Sequence, residues 1–139
     1  MSESAPSSPA IAGTVLAGEP AVDLVFVTPG GSRLTRLAVV DTGFDGTLTL
    51  PPLLFAKLAG TPTLTRRITV ADGRAVQCDA AVVRVEWCGT LRKVLAVRLG
   101  RGAVIGMALL AGHRLTIDAA DGGAVTITPL SQSNPDVSP

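Results

Sequence analysis

The chain has 139 residues, the size of one domain with a core of its own. Its 12 basic and 11 acidic residues are mixed along the sequence for a net charge of +1, and aromatics make up only 3%, so no basic stripe or stacking platform for nucleic acid is present. Apolar residues reach 47%, yet no run approaches the about 20 residues of a membrane helix, and the first ten lack the basic-then-apolar layout of a secretory signal; no membrane partner and a cytoplasmic location are the expectations.

Residues 1–12, rich in Ser, Pro and Ala, read as a disordered N-terminal tail. Ala21–Val27 reads as a strand, and Pro29-Gly30-Gly31-Ser32 as the turn that closes it. Arg33–Val40 returns as the hairpin partner and ends in the apolar run Leu37-Ala38-Val39-Val40, which delivers Asp41. Thr47–Leu50 alternates as a further strand. Pro51-Pro52 ends it, and Leu53–Leu58 carries a helical pattern with Pro52 suited to the first turn.

Arg67–Val70 and Ala75–Trp87 form a long hairpin through Ala71-Asp72-Gly73-Arg74, because Asp-Gly supplies the positive φ that a tight turn needs. Cys78 and Cys88 read as half-buried free thiols. A hairpin could bring them face to face, but two cysteines are too few for a disulfide scaffold. Leu91–Leu99 is the next strand, and Val104-Ile105-Gly106 is a short apolar one that stops on glycine. Met107–Ala111 reads as a brief helix ended by Gly112. Arg114–Asp118 and Ala124–Thr128 close the domain as a hairpin. Residues 131–139, polar with two prolines, read as a disordered C-terminal tail, which leaves 13–130 as the domain. The fold class is all-β with one or two short helices.

The chemistry concentrates at Asp41-Thr42-Gly43. An ionised Asp leaving a buried apolar strand must be hydrogen-bonded or share a proton, because an isolated buried charge costs several kcal/mol. The triplet occurs once, so chemistry that needs two such carboxylates needs a second chain. The bland alternative is a turn Asp at a strand end, with Thr42 and Gly43 as ordinary turn residues. Phe44-Asp45-Gly46-Thr47-Leu48 also looks like the nucleophile loop of haloacid-dehalogenase-like phosphatases, but Gly43 stands where that chemistry needs an Asp. His113, the only histidine, reads as a surface or helix-capping residue and makes neither a metal site nor a triad. Asp118 and Asp121 read as solvated turn residues.

Three features in order resemble the retropepsin-like aspartic proteases, and their bacterial members most: Val39-Val40-Asp41-Thr42-Gly43, the hairpin centred on Asp72-Gly73, and Val104-Ile105-Gly106 followed by a short helix. The resemblance spans roughly residues 13–128. It implies a closed barrel that forms a homodimer and hydrolyses peptide bonds. Asp41 of each chain sits at the twofold axis, where the two carboxylates share one proton, as in aspartic-protease dyads generally. One activates a water and the other protonates the scissile carbonyl oxygen; no metal or cofactor is involved. The Thr42 hydroxyl bonds the partner loop, and Gly43 permits close approach. Val104, Ile105 and Gly106 form a floor behind the loop, and Ala71, Asp72, Gly73, Arg74 and Ala75 form a flap over the substrate.

Two positions depart from the family. Phe44 stands where Ala or Ser is usual, and either narrows the cleft or lines a pocket. Asp45 matches a position that accepts hydrogen bonds from substrate backbone. Met107 replaces the Arg that orients that carboxylate in retroviral members, a role left to another residue such as Arg114. A non-catalytic module that keeps the fold for dimerisation or peptide binding is the alternative function.

Overall fold

Period-two patterning decides which faces of this chain turn inward. A computed structural model describes residues 10–59, 64–70 and 72–130. Its elements are β1 (Ile11–Leu16), β2 (Glu19–Val27), β3 (Arg33–Val40), β4 (Leu48–Leu50), α1 (Pro52–Ala59), β5 (Leu64–Thr69), β6 (Ala75–Trp87), β7 (Thr90–Arg98), β8 (Ala103–Ile105), α2 (Met107–Leu110), β9 (His113–Ile117) and β10 (Ala124–Pro129). In β2, Val22, Leu24 and Phe26 are buried while Asp23 is exposed; in β6, Ala81, Val83, Val85 and Trp87 are buried while Val82 is exposed. Each large side chain so buried contributes about 1.5–3 kcal/mol. No helix among the described residues is long and apolar enough to cross a membrane.

The strands form one sheet in the order β5-β6-β7-β4-β8-β3-β2-β1-β10-β9, and β6 also pairs with β2. That extra pairing, Val25↔Glu86 to Val27↔Arg84, closes a circuit of β2, β3, β8, β4, β7 and β6. The main core gathers Leu24, Phe26, Leu48, Val83, Val85 and Ile105 from these strands, with Leu109 from α2. The all-β class with two short helices is therefore observed. Six strands thus close a circuit of pairings, and the sheet keeps edges at β5 and β9.

One crossing positions the candidate site. β8 lies between β3, to which it runs parallel, and β4, to which it runs antiparallel. β3 and β4 follow each other in sequence, so the segment 41–47 between them must pass over the end of β8. In α1, Pro52 occupies the first position, where its missing N–H costs nothing, and Leu54, Phe55 and Leu58 face the core.

Four expectations need correction. β1 begins at Ile11, inside the anticipated tail, and pairs with both β2 and β10. A Cβ on Gly13 would overlap the backbone of Ala21, so this strand depends on a glycine that masks it as a strand in the sequence. β5 starts at Leu64 rather than Arg67, on an exposed edge without apolar alternation. Cys78 is buried on β6 opposite Arg66, whereas Cys88 lies in the turn at the far end of the same strand, roughly 30 Å along an extended chain; the two do not face each other. Finally, His113 opens β9 as a half-buried bridge. The buried Trp87 Nε1–H donates to its Nε2 at 3.0 Å, so Nδ1 carries the proton and donates to the carbonyl oxygen of Ala111, also at 3.0 Å. The anticipated tails at 1–9 and 131–139 lie outside the described residues.

Candidate active site

The loop that crosses β8 is held almost wholly by its backbone. Asp41 N–H donates to Ile105 O at 2.9 Å and so continues the β3–β8 ladder by one residue. Phe44 N–H returns to Asp41 O at 3.1 Å, closing a turn around Thr42 and Gly43. Beyond the turn, Gly106 N–H donates to Thr47 O, Met107 N–H to Phe44 O and Ala108 N–H to Gly46 O, at 2.8–3.1 Å. The Thr47 hydroxyl donates to Leu95 O on β7. Ile105 and Gly106 are buried directly behind the loop, while Val104 is half-buried and faces the cleft described below.

Asp41, Thr42 and Gly43 are exposed in the single chain, a correction to the buried carboxylate that the apolar strand suggested. The strand is buried only as far as Val40, and Asp41 projects past its end. Asp41 Oδ1 accepts the Gly43 N–H at 2.8 Å, which leaves Oδ2 free to meet another group. The Thr42 hydroxyl has no hydrogen bond among the described residues, and a Cβ on Gly43 would stand 3.2 Å from Asp41 Oδ1.

Asp41 opens onto a cleft of about 500 Å³, within the range of ordinary ligand sites. Gly43, Phe44, Asp45, Thr49 and Val104 line it from the loop side, and Ile68, Thr69 and Val70 from the β5 hairpin opposite, with Leu99 and Gly100 at one end. The hairpin therefore faces the site, but through its β5 arm. The anticipated contact residues Asp72, Gly73, Arg74 and Ala75 form the exposed tip and do not line the cleft in the single chain; Ala71 lies outside the described residues. At the tip, Gly73 adopts φ 88° and donates to Val70 O, while Val70 N–H donates to Arg74 O. Asp72 accepts from the Arg74 backbone at 3.0 Å and from its guanidinium at 2.8 Å, and these bonds hold the Asp72 carboxyl below its ordinary 3.8.

Phe44 lines the cleft and also packs inward. Its ring occupies the space that a Cβ on Gly46 or Gly106 would fill, so two glycines make room for a side chain this large. Asp45 is exposed beside it. Met107 is 47% exposed at the start of α2, and Arg114, on β9 opposite Thr128, forms no ion pair with Asp45. No group of three or more His, Cys, Asp or Glu among the described residues is arranged to hold a metal. Sequence reasoning missed Thr49, Ile68, Thr69, Val70, Leu99 and Gly100. The one local hint was Thr49, a hydroxyl between two core leucines.

No protein-family model matches the chain, and no curated protein matches it. Its fold is that of the retropepsin-like aspartic proteases. The chain aligns with the crystal structure of a retropepsin-like aspartic protease from Rickettsia conorii at a TM-score of 0.54, covering 91% of this chain and 97% of that one. Sequence identity over the alignment is 15%, so the likeness is one of fold.

Proposed function

We propose that this chain is an aspartic endopeptidase whose active site forms between two copies, within one domain that runs from β1 to β10. The observation that carries this is the Asp41 loop: a single Asp-Thr-Gly turn, rigidly backed by Ile105 and Gly106, exposed at the mouth of a cleft that a β-hairpin faces. Such an arrangement is half of a site. Each chain contributes one Asp41, the two carboxylates share a proton, and a water between them is activated by the ionised one. The protonated partner donates to the scissile carbonyl oxygen. Thr42 supplies the hydroxyl that ties the two loops together.

An extended peptide lies between the loop and the hairpin, its backbone pairing in β fashion, with Phe44, Asp45, Val104 and Ile68 about its side chains. The hairpin tip closes over it from Asp72 to Ala75. The dimer works in the cytoplasm, where Cys78 and Cys88 stay reduced.

The test is digestion of a diverse peptide mixture read by mass spectrometry, from about pH 4 to 8, a span that crosses carboxylate-dyad titration. Wild-type chain cleaves and Asp41→Asn does not. Silence from the wild type at concentrations where sedimentation shows a dimer would replace this assignment with the peptide-binding module.

A further inference from the structure

Beside the Asp41 cleft lies a second cavity, about 900 Å³ against the cleft's 500 Å³. Gly100 lines both, so the two adjoin. Leu37 of β3 and Leu53 of α1, with Pro51 and Pro52 at the junction of β4 and α1, contribute to its apolar part, and the two leucines are 52% and 83% exposed. Large apolar side chains gathered round one concavity mark a surface that something covers.

The charge lining this cavity is one-sided, with exposed Asp23 opposite Leu37 on the neighbouring strand as the carboxylate beside it. Arg36, Lys57 and Arg101 line it, and no carboxylate does. None of the three takes part in an ion pair among the described residues, and Arg36 donates only to the neighbouring Thr35 carbonyl. Being unpaired is common here, since among the described residues only Arg33, Arg74 and Arg98 have a carboxylate partner, at 2.7, 2.8 and 3.8 Å; what marks this cavity is that its cations gather round apolar side chains. With net charge close to neutral, three cations lining one apolar concavity without a carboxylate among them are a local feature of this site, not a consequence of overall basicity.

We propose that this cavity docks the part of a peptide substrate that continues out of the Asp41 cleft, and that it takes an apolar side chain flanked by carboxylates. Leu37 and Leu53 cover the apolar side chain, and Arg36, Lys57 and Arg101 meet the acidic groups beside it. The chain thereby selects substrates with an acidic-apolar segment on one side of the scissile bond. The apolar floor distinguishes this ligand from a phosphate or a nucleic-acid backbone, which would leave Leu37 and Leu53 uncovered. The substrate role rests on the endopeptidase assignment; the docking chemistry does not.

The test uses two fluorescein-labelled peptides that differ only in carrying Leu-Glu-Glu or Leu-Gln-Gln, with binding read by anisotropy on the full chain bearing Asp41→Asn. The Glu peptide binds about tenfold tighter, the scale expected of a few partly exposed ion pairs acting together. Replacing Arg36, Lys57 and Arg101 together by Gln removes that preference and leaves the Gln peptide's affinity unchanged. Leu53→Ser weakens both peptides. All of these positions are exposed, so thermal unfolding is unaffected. Equal affinity for the two peptides, or a triple variant that keeps the preference, overturns the proposal. Wild-type cleavage of both peptides at equal rates would also overturn it while leaving the endopeptidase assignment standing. Charge-dependent binding with no cleavage by the wild type would support the docking site and remove the endopeptidase assignment. If the triple variant alters only self-association in sedimentation velocity, the occupant is a second copy and the proposal falls.

Discussion

The backbones of Gly106 and Gly46 approach so closely that a Cβ on Gly106 would stand 2.3 Å from the Gly46 carbonyl oxygen. The contact is backbone against backbone, so no rotamer change relieves it. Because Met107 and Ala108 donate to Phe44 O and Gly46 O from the same segment, any shift here moves the loop that carries Asp41.

Gly106→Ala therefore overpacks the site, with an expected loss of about 1–3 kcal/mol in denaturant unfolding. Peptide cleavage falls further than the loss of folded protein explains, because the surviving fold holds Asp41 out of place. Gly30→Ala is the control. A Cβ there meets nothing within 4 Å, and stability stays within about 0.5 kcal/mol of wild type. A Gly106→Ala chain as stable as that control would mean the loop is less firmly seated than its backbone contacts indicate.

The bond between Trp87 and His113 gives a second prediction. Trp87 is 2% exposed with His113 in place, and its indole N–H donates to His113 Nε2. His113→Ala strands a buried donor, a cost of about 1–3 kcal/mol, and unties the end of β6 from β9. Trp87 is the only tryptophan, so its emission reports the change directly. An unshifted spectrum together with unchanged stability would show the bond to be unimportant.

What was legible in the sequence depended on local signals. Arg33–Val40 and Ala75–Trp87 stand as strands over the spans that their apolar content and the Gly and Asp-Gly turns marked out. The Asp41 loop was legible because its residue types are rare in sequence at the end of an apolar strand. β1 was hidden by Gly13, whose lack of a side chain serves the β1–β2 contact while weakening the strand pattern. β5 was truncated because Arg66 and Arg67 break alternation on an edge that has no second face to bury. Much of the cleft lining was out of reach for a different reason. Ile68, Val70 and Leu99 meet Phe44 and Val104 only through long-range strand order, and no short window encodes that. The Trp87–His113 bond, 26 positions apart, is unreadable for the same reason.

At the hairpin tip, the depressed Asp72 carboxyl sets a pH dependence with a definite sign. A carboxyl held below its ordinary 3.8 stabilises the tip fully above that value, and the contribution is lost as pH falls through the lower folded value. Asp72 and Arg74 are both exposed, at 58% and 71%, so the pair orders the tip without adding measurably to global stability. The protection of the Gly73 and Arg74 amides, taken relative to their intrinsic exchange rates, thus falls as pH drops below about 3.8 while the melting temperature does not follow Asp72. Arg74→Ala makes tip exchange fast at neutral pH. Tip protection that persists in that variant would rule out the ion pair as its source.

Cys88 behaves in the opposite sense. Burial pushes its thiol above the ordinary 9.0, with Arg92 pulling weakly the other way. The thiolate is the reactive form, so Cys88 alkylates more slowly than an unfolded cysteine at neutral pH. Because the folded value is raised, the stabilisation tied to the neutral thiol is present below 9.0 and is lost as pH rises through the folded value. Iodoacetamide labelling with and without urea measures this, and rapid modification of Cys88 in the folded chain would contradict it.

Thr42 offers the sharpest separation of fold from assembly. In the single chain it is exposed and its hydroxyl makes no hydrogen bond among the described residues, so Thr42→Val leaves unfolding of one chain within about 0.5 kcal/mol of wild type. If the hydroxyl ties two Asp41 loops together, the same substitution weakens the dimer. Sedimentation equilibrium then shows a larger dissociation constant, and cleavage lost on dilution returns as the protein is concentrated. Asp41→Asn behaves otherwise: it removes cleavage at every concentration without weakening the dimer, because it replaces a chemical group, not a tether. A Thr42→Val chain with wild-type association would leave the Asp41 loops without this link. A Thr42→Val monomer that still cleaves would show that one Asp41 suffices.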